Sequence, residues 1–421
     1  MHRGVKTLQR SVFLRQVSTL SAGTLVAQLI LLVSSPVLSR LYSPAEFGVY
    51  AFLLACVSVL SPSVCGKYNI AILLPRGNRL SNCLAALSIQ VCFFVCLVIL
   101  IIAILWAIIF EPLAALQNAA NWILIIPFML FFTGLSMVFS SMANRKQDYK
   151  LLSVSKIIQA IIVAVINIAL GVAGFGFAGL LLGNIAGLFF FNYILYSGLR
   201  YSPDLGFNKR KLAAGRKYRE FPIFNATPSL LDGVALHLPL FFMSAYYPEA
   251  FLGYFALVIR VVNVPLAFIS GSVSQINVRK VVGLAHERKS ILPYTLKLML
   301  ALSCLVFPVV FTLYFFAEPV FVVVFGENWR EAGLLASLLV PSLGLRFVVS
   351  TLSTTISGTN NNKFGMYWKV GAFLSTFGYF LFFAPEANFN NMVIGYVIVD
   401  MVLYAVYLML ILWSAVRPRI L

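Results

Sequence analysis

Long apolar runs alternate with short polar joins along the whole chain. About twelve runs are long enough, at roughly 20 residues, for a helix to cross a bilayer. They fall near 17–38, 46–65, 82–109, 122–142, 151–171, 176–198, 223–246, 251–272, 291–316, 332–357, 367–384 and 391–415. Runs of this length suit helices better than the ~10-residue alternating strands of an outer-membrane barrel. Proline, glycine, asparagine and charged residues punctuate the joins. The pattern predicts an all-α integral membrane protein of about twelve transmembrane helices.

Composition agrees with the pattern: 61% of residues are hydrophobic and only 10% are charged. A soluble domain carries about a quarter charged residues, so a water-soluble globule is excluded. The formal net charge of +18 reads as the lysine and arginine excess of cytoplasmic loops rather than a nucleic-acid footprint. With the N-terminus inside, all lysines and arginines but Arg40, Arg260, Arg330 and Arg346 fall on cytoplasmic segments, Lys156 among them. Glu46, Glu111, Glu249, Glu318, Glu327, Glu331 and Glu386 fall on the other side. A wrong span count would scramble this alternation, so twelve helices with both termini cytoplasmic is the expected topology. The basic opening MHRGVKTLQRSVFLR runs into a full-length span with no small-residue cleavage pattern, so the first helix is expected to stay.

The longest polar stretch, RYSPDLGFNKRKLAAGRKYREF, divides the chain into six spans and six spans. The expected domains are a six-helix bundle over 1–199, a basic cytoplasmic linker over 200–222 and a second six-helix bundle over 223–421. The linker's basic residues suit a plain positive-inside join or contact with anionic headgroups. An even number of spans gives both halves the same orientation, and a repeated hairpin supports the division. VLSRLYSPAEFGVYAF (37–52) returns about 205 residues later as MSAYYPEAFLGYFALVIR (243–260). Pro36 matches Pro239, the Pro44 turn matches Pro248, and GVYA (48–51) matches GYFA (253–256). Parallel repeats related by an axis along the membrane normal are a transporter architecture, with the site between the halves at the midplane.

Ionisable groups inside a bilayer are costly and face protein or a watered cavity. Four lie within apolar runs: Asp232, Arg260, Arg346 and Asp400. A rise of 1.5 Å per residue puts Asp232 about 14 Å and Arg260 about 17 Å from the inner end of their helices. One reading makes them a buried pair that pins a helical hairpin. The other has Arg260 present its charge to an anionic headgroup in a central cavity, with Asp232 holding or neutralising it. Arginine suits phosphate because its planar fork donates bidentate hydrogen bonds and stays charged. Arg40 and Lys67, at opposite ends of the first hairpin, are either interfacial snorkelling residues or the outer and inner basic rims of that cavity. His237, counted with Arg260, Asp232, Arg40 and Lys67 among the candidate substrate-binding residues, is either a proton carrier or a satisfied polar residue, and Arg346 with Asp400 is read as a structural pair.

The six cysteines have neither CxxC spacing nor companion histidines, so neither a disulfide frame nor a metal site is expected. No GxxxxGK[ST] run occurs, and the glycines of GVAGFGFAGLLLGNIAG read as helix joins and packing contacts rather than a phosphate loop. No cofactor is expected. A proton or sodium gradient, membrane potential or the substrate gradient itself would supply energy.

Several blocks together carry a family resemblance. PVLSRLYSPAEFGVYAF with AILLPRG, KYREFPIFNATPSLLDGVALHLPLFFMSAYY, GYFALVIRVVNVPLAFISGSVSQI and FGENWREAGLLASLLVPSLGLRFVVSTLSTT resemble the polysaccharide-transporter branch of the multidrug/oligosaccharidyl-lipid/polysaccharide flippase superfamily, nearest to Wzx-type O-antigen and capsule repeat-unit flippases of bacterial inner membranes. The resemblance implies two six-helix bundles around a central cavity. It implies a lipid-linked sugar, usually on undecaprenyl pyrophosphate, turned from the cytoplasmic to the outer leaflet. A polysaccharide polymerase and a chain-length regulator are the implied protein partners. Carried over by position, Arg40, Lys67, Asp232 and Arg260 fall on the cavity-forming helices. Relatives often show Arg-Tyr-Glu where this chain has Lys67-Tyr68-Asn69, so an ion-coupling role attached to that acid lacks its residue here. The rival readings are a drug or cation exporter of the same superfamily, which favours acidic cavity residues, and a membrane-embedded polymerase. The polymerase would need a larger outer loop with catalytic groups, so an enzyme is not expected.

Overall fold

The computed structural model describes residues 2–109, 120–201, 206 and 208–416. The charges of Glu111, Arg417 and Arg419 lie outside that set, as do the side chains of Arg3, Lys6, Arg10 and Arg15. Among the described residues the chain is helical throughout, with no strand. In chain order the helices are α1 (His2–Leu41), α2 (Pro44–Val64), α3 (Tyr68–Ala71), α4 (Asn78–Ile109), α5 (Ile126–Lys146), α6 (Tyr149–Val172), α7 (Phe177–Leu199), α8 (Lys209–Lys217), α9 (Thr227–Tyr246), α10 (Glu249–His286), α11 (Leu292–Phe325), α12 (Arg330–Leu352), α13 (Thr354–Gly358), α14 (Asn362–Phe383) and α15 (Phe389–Val416). Eleven segments are long and apolar enough to span a membrane. α14, whose 22 residues include Lys363 and Lys369, supplies the twelfth predicted span at about 33 Å.

The contacts divide the chain into two compact units, Met1–Tyr42 with Val49–His237, and Ser43–Gly48 with Leu238–Leu421. Within the first unit, α1 packs on α6, α6 on α7, and α5 on both α4 and α7. The glycines of α7 do what small residues do in membrane interfaces and let backbones approach closely. A Cβ at Gly183 would lie 1.8 Å from the Asn167 side-chain oxygen, and one at Gly187 would lie 2.3 Å from a Val163 methyl. Tyr42 closes this layer by donating its hydroxyl to the Asn167 carbonyl at 2.6 Å.

Within the second unit, α12 is the most enclosed span. It packs against α10, α11 and α15 through a core of Leu302, Val306, Phe347, Leu352 and Ile411. Trp368 of α14 lies flat on Tyr407 of α15, with ring centroids 3.9 Å apart.

The start of α2 belongs to this second unit. Ser43 and Glu46 cap it reciprocally, in the S-x-x-E spacing of a capping box. The Ser43 amide donates to Glu46 Oε2 at 2.7 Å, and the Glu46 amide donates to Ser43 Oγ at 3.3 Å. Phe47 then meets the fully buried Trp329 edge to face, with centroids 5.1 Å apart.

The repeated glycines lie at the closest approach. A Cβ on Gly48 would sit 1.9 Å from the Glu249 carbonyl oxygen, and a Cβ on Gly253 would sit 1.8 Å from that of Pro44. The glycines match at an offset of 205, and the carbonyls they meet, those of Glu249 and Pro44, belong to the matched proline turns. The contact is therefore self-complementary in the sense of an isologous interface. Only a hydrogen fits between the backbones at either position. Gly48→Val and Gly253→Val are expected to lower stability by about 1–3 kcal/mol or more through overpacking. Gly271→Val, at a position with nothing within 4 Å, is expected to leave the melting temperature of the detergent-solubilised protein unchanged. Size-exclusion thermostability of the three variants checks this, and equal melting curves would show that the glycines are not needed for the contact.

Candidate functional site

Three points tie the inner half of α9 to the inner half of α2, both inside the first unit. The Ser63 hydroxyl donates to the Ala226 carbonyl at 2.9 Å. Gly233 faces the backbone of Val59, where a Cβ would lie 3.1 Å from the Val59 Cα. His237 Nε2 lies 2.9 Å from Ser58 Oγ. As the numbers rise on α9 they fall on α2, so the two helices run antiparallel. Gly233 and His237, four apart, share the face turned to α2. Asp232 is one residue, about 100°, off that face and is exposed on the protein surface. His237 is thus a hydrogen-bonded residue of the α2–α9 seam.

Lys67 and Asn69 lie at the turn that follows α2. Gly66 and Lys67 both take left-handed backbone angles, with φ of 55° and 57°, which sends the chain into the short α3. Lys67 is only 8% exposed. Its ammonium makes no hydrogen bond or ion pair among the described residues, and burial holds its pKa below the ordinary lysine value. Burial raises that of the neighbouring Tyr68, whose hydroxyl donates to the Gly215 carbonyl at 3.3 Å. Asn69, at the position of the absent acid, is buried, and its side-chain oxygen finds no partner among the described residues. Arg40 is exposed in the last turn of α1.

In the second unit, Arg260 is half-buried on α10. It follows the Gly253 contact by seven residues, about 10 Å along the helix. Buried Leu257, Val258 and Val262 flank it. Asp232 and Arg260 thus fall in different compact units.

Arg346 and Asp400 form the structural pair read from the sequence. Arg346 Nη2 donates to Asp400 Oδ1 at 2.6 Å and to the Tyr396 hydroxyl at 3.3 Å. The guanidinium lies over the Tyr404 ring, 5.1 Å from its centroid. The pair joins α12 to α15.

One embedded cation is not marked by the sequence pattern. Charge alternation assigns Lys156 to a cytoplasmic segment, but Asp148 caps α6 by accepting from the Leu151 amide at 3.0 Å. That cap starts the helix at Tyr149 and carries Lys156 about 10 Å along it. Its ammonium donates to the Thr24 hydroxyl of α1 at 3.0 Å. The signal for this lies in Asp148, three residues before the amide it caps. No group of three or more histidine, cysteine, aspartate and glutamate side chains is placed to hold a metal among the described residues.

Among the described residues, twelve long helices, many of them apolar on their outer faces, make this a multi-pass membrane protein, and the relatives below give its class as transporter. The family described as polysaccharide biosynthesis protein matches residues 37–333, and the chain belongs to it. The succinoglycan biosynthesis transport protein ExoT of Rhizobium meliloti (strain 1021) is 24% identical over 378 residues, covering 88% of this chain and 74% of that protein. Among solved structures, the lipid II flippase MurJ in its inward closed conformation has a TM-score of 0.72 at 15% identity, over 93% of this chain and 86% of MurJ. A MOP superfamily transporter from Pyrococcus furiosus Vc1 (DSM3638) gives 0.62 at 15% identity, over 95% and 94% of the two chains. An inward-facing multidrug resistance transporter of the MATE family gives 0.61 at 14%, over 94% and 93%. The fold is that of the MOP superfamily, and the predicted polysaccharide-transporter resemblance holds.

The ion pair gives a test of its structural role. Removing one partner of a buried pair costs about 3–5 kcal/mol, whereas replacing both by apolar residues of similar size is near neutral. Asp400→Ala is expected to destabilise the protein strongly, and Arg346→Met with Asp400→Leu to recover most of the loss. Thermal unfolding of the purified variants measures both, and a double variant as weak as the single one would show that the charges are needed for more than mutual compensation.

Proposed function

We propose that this protein is a flippase that carries undecaprenyl-pyrophosphate-linked oligosaccharide units across the bacterial inner membrane during polysaccharide assembly. The observation that carries the reading is Arg260, a guanidinium held half-buried mid-helix in a chain of the polysaccharide biosynthesis family. A pyrophosphate crossing hydrocarbon without partners would meet a prohibitive desolvation cost, and a fixed arginine replaces its hydration with bidentate hydrogen bonds. The names of the relatives support this cargo class, since one is a transport protein for a glycan pathway and another a flippase for a lipid. A lipid-linked glycan joins both. They also support transport rather than enzymatic catalysis.

The moving parts are the chain halves 1–199 and 223–421, joined by the linker 200–222, with both termini cytoplasmic. They rock in alternating access about a cavity at the midplane. Arg260 anchors the headgroup, Asp232 neutralises it when the cavity is empty, and Arg40 and Lys67 form the outer and inner basic rims. Lys67 supports the inner role because it is buried with no counter-charge among the described residues. His237 is assigned to the seam with Ser58, beside the cargo path. Asn69 cannot carry a proton, so a coupled proton, if used, is bound elsewhere.

The test is deletion of the gene with complementation by wild type, Arg260→Ala and Arg260→Lys. The expected result is loss of surface polysaccharide and accumulation of the lipid-linked precursor in the deletion, rescued by wild type. Arg260→Ala should fail at normal membrane abundance, with transport down tenfold or more, while lysine restores part of it as a point charge. Surface polysaccharide untouched by the deletion would overturn the cargo and move the exporter reading to first place.

A further inference from the structure

At the end of the first unit that carries the linker, two adjoining chambers open between helix termini. The larger, about 1000 Å³, is lined by Arg76, Arg145, Lys146 and Arg200. The smaller, about 750 Å³, is lined by Arg79, Arg210, Lys211 and Lys217. Asn82 and Tyr201 line both, and the Tyr201 hydroxyl donates to the Asn82 carbonyl at 2.9 Å across the divide. No carboxylate lines either chamber among the described residues.

Part of this charge has a local structural role. Arg145 donates to the Ile72 carbonyl at 3.2 Å, and Lys146 donates to the Leu199 carbonyl, tying neighbouring helix ends to the C-terminus of α5. Lys211 donates to the Gly206 carbonyl at 2.6 Å. Arg76, Arg79 and Arg200 have no such role, because their side chains make no hydrogen bond or ion pair among the described residues. Asn78 and Asn82, in the first turns of α4, also line the larger chamber, so a long helix presents its positive end there. Fold maintenance alone does not account for guanidinium groups with no partner among the described residues around a cavity of this size.

The chamber's position selects the ligand. It lies where three spans end on one membrane face, at Asn78, Lys146 and Leu199, which is headgroup level. Leu73 lines it and is 46% exposed, and Leu74 beside it is 57% exposed. This apolar lip would carry acyl chains while the basic wall takes the phosphate. We infer that the paired chambers are a binding site for the phosphate headgroup of an anionic phospholipid from the adjacent leaflet, lateral to any cargo path. Basic pockets between transmembrane helices on the cytoplasmic side bind such headgroups through charge and hydrogen bonds. The inference holds whether or not the flippase reading does.

The experiment uses the full-length protein in detergent, titrated with phosphatidylglycerol, cardiolipin, phosphatidylcholine or inorganic pyrophosphate, and read by native mass spectrometry. Arg76→Gln with Arg200→Gln removes two cations that make no internal bonds. Arg288→Gln with Lys289→Gln removes the same charge from an exposed turn of the second unit. The expected result is retention of phosphatidylglycerol or cardiolipin by wild type and by the second variant, with affinity about tenfold weaker in the first. Equal binding by all three proteins, or equal retention of phosphatidylcholine, would overturn the site. Displacement of bound phospholipid by pyrophosphate at comparable concentration would overturn the lipid assignment in favour of a soluble phosphate.

Discussion

The second unit is built around a contact that admits no side chain. Gly48 and Gly253 each bring a helix N-terminus against a carbonyl oxygen of the other helix. Lipid supplies no hydrophobic drive between helices, so close packing has to come from van der Waals contact, and only glycine allows backbones this near. The capping box of Ser43 and Glu46 fixes the start of α2, and Trp329 receives Phe47 just beyond. One hairpin tip is thereby held by backbone shape, by a cap and by an aromatic socket. The repeat in the sequence acquires a physical meaning here, because the matching residues of the two copies touch one another.

The embedded charges divide by how fully they are compensated. Arg346 has a carboxylate, a phenol and an aromatic face, although its Nε and the Asp400 Oδ2 have no hydrogen-bond partner among the described residues. Such a pair holds two helices and is poorly suited to receive a ligand, because a competing anion would have to displace Asp400. Lys156 is satisfied by a neutral hydroxyl alone, and Lys67 by no group among the described residues. A buried lysine with no opposing charge gains from an anion brought to it. The difference lies in the partner rather than in depth, which is why hydropathy alone could not rank them.

Much of the architecture could be read from the chain. The twelve runs and the matched glycines each rest on a local rule with a strong physical cause. The pairing of Arg346 with Asp400 followed from two costly charges of opposite sign on helices of the second half. Other features rest on contacts that leave no periodic trace. The inner part of α9 packs on α2 through Ser63, Gly233 and His237, none of which alters the hydropathy of its run. The compact units consequently divide after His237, inside a helix, and no composition shift marks that place. The burial of Lys67 and Asn69 was equally hidden, since a polar triplet after a span reads as a loop until the left-handed turn folds it inward.

The basic joins show how one residue type serves two purposes. Topology requires lysines and arginines on the retained side of the membrane, and a statistical excess there needs no site to explain it. Topology does not require that Arg76, Arg145 and Arg200 come from three separate joins and converge on one cavity. Repulsion among like charges favours their dispersal, and the exposed surface at these helix ends would allow it. Arg145 is held there by the Ile72 carbonyl, and an anion in the cavity would screen the repulsion that Arg76 and Arg200 add. The proposed headgroup site would thus draw on basic residues that a positive-inside excess alone leaves free to disperse.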